Sequence, residues 1–168
     1  MTALEFITHQ IAQMRSQTTA VVADLTEEQL NWPAPGTTNT IGAMYLHIST
    51  AEDTLIHTVI QGIPRLWESG DWADKINISK PPSRGDWSSV KDKSLALAPI
   101  LAYQQVIQAA TTAYVTALSD AELARPVTFG GRSEVVADIL ARLVVHATFH
   151  AGEIAAIKGV HGLKGLPF

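Results

Sequence analysis

Four segments of about twenty residues carry apolar side chains at three- and four-residue steps, and no strand pattern competes with them. The first runs from Thr2, an N-cap, to Asp24, with Leu4, Ile7, Ile11, Met14, Val21 and Leu25 as its stripe. Thr26 and Gln29 then read as a capping box for one short turn, and Pro33, Pro35 and Gly36 break the chain. The second starts near Asn39 or Thr40 and runs to Gln61, where Gly62 and Pro64 stop it. Its stripe is Ile41, Met44, Ile48, Ala51, Leu55 and Val59, and His47 belongs to it. The third spans about Leu95 to Leu118, and Pro99 moves its start toward Ala98. A second capping box begins at Ser119 and faintly echoes the one at Thr26, as an internal duplication of helix pairs would. After Pro126 and a turn at Gly130-Gly131, the fourth segment starts near Ser133 and ends around Lys158-Gly159.

Amphipathic helices of this length bury their stripes against one another. The expected fold is therefore all-α, a four-helix bundle in one domain over residues 1–168. A long irregular connection over 62–93 separates helices two and three and leaves them free to run parallel. It contains Pro64, Gly70, Pro81, Pro82 and Gly85, and three of the four tryptophans: Trp67, Trp72 and Trp87. A connection this long carries short elements or a function. Its tryptophans either dock it onto the bundle, the preferred reading, or wall a pocket. The apolar tail from Gly162 to Phe168 is expected to pack on the bundle or on a partner subunit.

Composition narrows the function. A net charge of −4 with scattered Lys and Arg leaves no footprint for nucleic acid. There is no secretory signal and no apolar run of membrane-spanning length, so a cytoplasmic protein without a membrane partner is expected. Asn77-Ile78-Ser79 is then a chance match to a glycosylation acceptor. Cysteine is absent, which excludes thiolate ligands, disulfides and a cysteine nucleophile; thiol chemistry would need a thiol from outside.

The chemistry rests on histidines. His146 and His150 are four residues apart, about 40° around a helix and about 6 Å along it, on the stripe of Ile139, Leu143, Ile154 and Ile157. Imidazoles on a core-facing stripe need partners, because an unpaired buried polar group costs about 1–3 kcal/mol. A divalent metal ion shared with His47 meets that need. Three neutral imidazoles suit zinc or nickel and leave an open coordination position. Hydrogen bonding within the core is the alternative. Glu153, about 20° from His146 around the helix, is a candidate fourth ligand, acceptor for an imidazole N–H, or general base; acceptor or base is preferred. A plain surface glutamate near Lys158 is the bland reading. His57 lies about 80° off the face of His47 and is expected at the surface; His9 and His161 are expected to be solvated.

These residues carry a resemblance. Ile41-Gly42-Ala43-Met44-Tyr45-Leu46-His47-Ile48 and His146-Ala147-Thr148-Phe149-His150-Ala151-Gly152-Glu153-Ile154 are similar to the DinB-like superfamily, as are Leu30-Asn31-Trp32-Pro33 and the C-terminal Gly-Leu-Lys-Gly-Leu-Pro. The resemblance implies an up-down-down-up bundle, often homodimeric, with nickel or zinc at His47, His146 and His150. It also implies kinship with metal-dependent transferases and isomerases that use low-molecular-weight thiols such as mycothiol or bacillithiol. The expectation is a metal-dependent enzyme that activates a small thiol for transfer to a small electrophile, with Glu153 assisting. Metal-dependent hydrolysis and a non-catalytic, metal-stabilised binding protein are the alternatives. Any of these readings requires metal affinity to fall below about pH 6.5, where protons compete for imidazole.

Overall fold

The computed structural model describes residues 1–33, 36–83, 85–90 and 92–166. The chain break expected at Pro35 and the packing expected of Pro167 and Phe168 lie outside them. Helix α1 (Ala3–Ala20) opens with a reciprocal box in which the Thr2 hydroxyl accepts the Glu5 N–H and the Glu5 carboxylate accepts the Thr2 N–H. It ends at Ala20 rather than Asp24. Thr26 and Gln29 form the same box on α2 (Glu27–Leu30). Helix α3 (Ile41–Asp53) is capped by the Thr40 hydroxyl and continues into a π-helical run, Thr54–Gln61, that Gly62 ends at φ 69°.

The connection that follows is built, not bare: it carries α4 (Leu66–Ser69) and α5 (Trp72–Ile76). Helix α6 (Leu97–Thr116) holds Pro99 in its first turn, where no N–H is needed. The box at Ser119 is only half made on α7 (Asp120–Leu123): the hydroxyl accepts the Glu122 N–H, but the Glu122 carboxylate turns to Tyr114 and Arg125.

A β-hairpin then corrects the purely helical expectation. β1 (Pro126–Phe129) pairs antiparallel with β2 (Arg132–Val135), and both residues of the intervening Gly130-Gly131 turn have positive φ, at 59° and 78°. The long helix α8 (Val136–Val160) therefore begins after Ser133, which sits in β2, and runs just past Gly159.

The four long helices share a core. α8 packs on α1 and α3, α3 packs on α6, and α1 touches α6. Tyr45, Leu46, Ile100, Tyr103, Ile107, Leu140, Leu143 and Ile154 are fully buried there, each worth about 1.5–3 kcal/mol in water-excluded surface. Helix α3 is buried on nearly every side, so a single stripe understates it; even Glu52 and Asp53 are inside. Lys158 sits in the last turn of α8, as expected of a helix-ending cation. It is buried, and its ammonium donates to Val21 O at 3.0 Å and Asp24 Oδ1 at 2.5 Å.

Trp67 and Trp72 dock the connection as preferred, with rings 5.4 and 5.1 Å from that of Tyr103. Leu163 of the tail packs against the core. Among the described residues, no helix is long and apolar enough to cross a membrane.

Candidate metal centre

The packing of α8 on α3 brings His47, His146 and His150 together. One nitrogen from each lies within 4.8 Å of the others, and the Nε2 atoms of His47 and His146 are 3.1 Å apart. The ring centroids lie 4.5 to 5.0 Å apart in edge-on arrangements. A tetrahedral ion bound at about 2.1 Å needs imidazole nitrogens about 3.4 Å apart, within the span of those separations. All three side chains are partly buried, at the margin of the apolar stripe of α8 rather than on its floor.

The outer ring nitrogens of His47 and His150 are held in a way that frees the inner ones. His47 Nδ1 lies 3.3 Å from the carbonyl of Pro82, which also accepts from Thr50 Oγ1 at 3.3 Å. His150 Nδ1 lies 2.5 Å from Glu153 Oε2. An N–H on each of these Nδ1 atoms puts the lone pair on Nε2, the tautomer a metal ligand needs. Glu153 thus touches His150 from behind and contributes no atom to the converging set. His146 Nδ1 is buried without a hydrogen-bond partner.

Two helices positioning three imidazoles over a full-length helical fold invite comparison with known proteins. The family model of the DinB superfamily matches residues 10–154. The chain belongs to the DinB superfamily. Two solved structures share its fold: a conserved protein from Enterococcus faecalis (TM-score 0.80, 16% identity, covering 96% of this chain and 99% of that one), and a DinB-like protein from Bacillus cereus ATCC 10987 (TM-score 0.67, 18% identity, 98% and 96%). No curated protein matches.

The electrostatics of this DinB-superfamily site favour neutral ligands. Burial is the main cause that pushes the His146 imidazole down to about 4, with the neighbouring His150 and His47 adding to it. Burial likewise lowers His47, against an opposing pull from the Pro82 carbonyl. Two groups that would repel a cation when protonated are thereby kept as lone-pair donors near neutral pH.

The cluster opens onto a cleft of about 580 Å³ whose lining includes Thr50, Leu55, Arg65, Phe129, Arg142 and Phe149. Trp87 packs its ring 4.8 Å from that of His47, beside the cluster, and is not among the residues that line the cleft.

The remaining histidines divide. His9 is exposed as expected. His161 is not solvated: it is half-buried and stacks on Trp32 at 4.2 Å, helping to fix the Asn31-Trp32 run, whose Asn31 side chain exchanges two 2.8 Å bonds with the backbone of Leu95. His57 is not at the surface either. It is 3% exposed, and its Nδ1 lies 2.8 Å from Asp53 Oδ1. The angular argument assumed a regular α-helix, whereas His57 lies in the π-helical run Thr54–Gln61, which is enclosed there. Sequence reasoning missed the Pro82 carbonyl and Thr50, which carry no local signal. It also passed over Arg142, although its spacing one turn before His146 was legible.

Proposed function

We propose that the protein is a metal-dependent enzyme in which His47, His146 and His150 hold one divalent ion, zinc or nickel. In this reading a low-molecular-weight thiol is activated for transfer to a small electrophile. The observation that carries it is the convergence of three imidazole nitrogens beside a cleft, in a chain without cysteine. When bound, the ion would supply undiminished positive charge, which favours thiolate over thiol near neutral pH.

The protein's own residues do the rest. Pro82 O and Glu153 orient the rings of His47 and His150, and the apolar cleft wall excludes water around the reacting sulfur. The thiol proton leaves to solvent. A sulfur–carbon bond forms as the bond to the leaving group breaks, and the leaving group departs with the electron pair.

The hydrogen bond from His150 to Glu153 supports a positioning role for that carboxylate. Hydrolysis with Glu153 as base is less well supported, because one carboxylate oxygen is already engaged behind the ring. The proposal includes a single domain over residues 1–168 in a cytoplasmic homodimer. It also includes an up-down-down-up order of the long helices, supported by four contacts: Asn31 with Leu95, Arg15 with Thr112, Arg125 with Ile60 O, and Lys158 with Asp24.

The test uses protein purified without an affinity tag. Elemental analysis should find about one zinc or nickel per chain, and an aryl chloride should be converted to its thioether by glutathione or N-acetylcysteine. Chelator should stop the turnover and added metal should restore it. Turnover indifferent to chelator would sink the proposal.

A further inference from the structure

We infer that the cleft recognises a substrate bearing a carboxylate or similar anion, with Arg142 as its anchor. The cleft places this guanidinium on the same wall as the imidazoles, since Arg142 precedes His146 by one helical turn, about 6 Å along α8.

The hairpin holds it there. From β2, Glu134 accepts from Arg142 Nη2 through both oxygens, at 2.9 Å each; from β1, the Phe129 ring lies 4.9 Å from the guanidinium carbon. Both contacts fix the orientation of the fork while using one nitrogen and one face. Nε and Nη1 have no protein partner among the described residues, the side chain is 45% exposed, and Arg142 is one of the residues lining the cleft. A planar, pre-oriented guanidinium with two donors free is the group that binds carboxylate bidentately.

Arg65 contributes a second positive charge to the lining, with Nε and Nη2 tied to Glu68. The apolar part of a ligand would lie between these groups, against Leu55, Phe129 and Phe149. The site thus suits a small molecule with an apolar or aromatic body and an anionic group about one helical turn from the end that meets the imidazoles. The inference rests on the proposed metal centre only for which end reacts; the anion site itself needs no ion.

The experiment compares phenylacetate with the uncharged isostere phenylacetamide, by ligand-observed NMR titration. Chelator-treated and metal-loaded protein are both used, and metal binding is measured separately by calorimetry. Wild type should favour the acid by at least about tenfold, the scale of a charge-assisted hydrogen bond, in both metal states. Arg142→Gln should abolish the preference while leaving the melting temperature and metal affinity in place, and Arg142→Lys should keep part of it. Three results would overturn the inference: an unchanged preference in Arg142→Gln, equal binding of acid and amide by wild type, or a preference present only in the metal-loaded protein. Failure to bind metal at all would remove the proposed reaction but leave the chelator-treated comparison intact.

Discussion

His47 and His57 lie ten residues apart on one continuous helical stretch, yet their surroundings differ in kind. Around His57, every strong group is matched. Asp53 is fully buried and its two oxygens accept from the Leu66 N–H and the Trp67 N–H, both at 3.0 Å, and from the Tyr103 hydroxyl at 2.5 Å, while His57 Nδ1 lies 3.2 Å from the Asp53 backbone carbonyl and 2.8 Å from Oδ1. The Tyr103 phenol is pushed far above its usual range, chiefly by burial and then by the Asp53 carboxylate. This network fastens the start of α4 and the π-helical run to α6. Around His47, by contrast, only the outer nitrogens of His47 and His150 are matched, His146 Nδ1 is buried without a partner, and the inner Nε2 atoms of His47 and His146 face each other across 3.1 Å. A saturated cluster of buried polar groups holds structure together, whereas one left open toward a cleft on a single side awaits a ligand.

That contrast can be broken by experiment. Asp53→Ala should have the largest effect, about 3–5 kcal/mol of unfolding free energy in urea titrations, since three donors lose their acceptor inside the core. A loss under about 1 kcal/mol would show the network to be ornamental. His146→Ala should do the reverse: calorimetric metal affinity falls by more than about 100-fold, while the metal-free protein keeps its stability to within about 1 kcal/mol. Comparable destabilisation by the two substitutions would erase the distinction drawn between the two regions.

Glu153→Gln sharpens the comparison at intermediate size. Its side chain is 58% exposed and is hydrogen-bonded to the back of His150, so metal affinity should drop by about tenfold with little change in folding. An unaltered affinity would remove Glu153 from the machinery.

The most gradual effect is the pH dependence of the metal-free fold. Burial holds His146 at about 4 and lowers His47 beneath its ordinary 6.5, so the unfolded chain takes up these protons first. Stability from these neutral rings is complete above about pH 6.5 and declines as the pH falls toward 4. The slope is at most about 1.4 kcal/mol per pH unit for each imidazole. Metal affinity should weaken over the same range, and His146→Ala should flatten the stability profile. A profile identical to wild type would contradict the burial of that ring.

What the amino-acid sequence determined by itself is local and periodic. Apolar steps of three and four residues specify the long helices, Thr2, Thr26 and Thr40 cap three of the helices, and the spacing of His146 and His150 puts two ligands on one face. That His47 faces them was also legible, because a polar residue on a core stripe must meet something on a neighbouring helix.

The hairpin was within reach, since Gly130-Gly131 is a hairpin turn between Phe129 and Arg132, but β2 reads Arg-Ser-Glu-Val and lacks the alternation that marks a strand. Its pairing is fixed by β1 rather than by its own pattern. Only tertiary structure decided the enclosure of His57 and Lys158, the Pro82 carbonyl behind His47, and the clasp of Glu134 and Phe129 around Arg142. Each of these rests on matching a charge or a lone pair to a partner supplied by another element. The free energy of that match depends on separation in space, to which helical periodicity along the chain is blind.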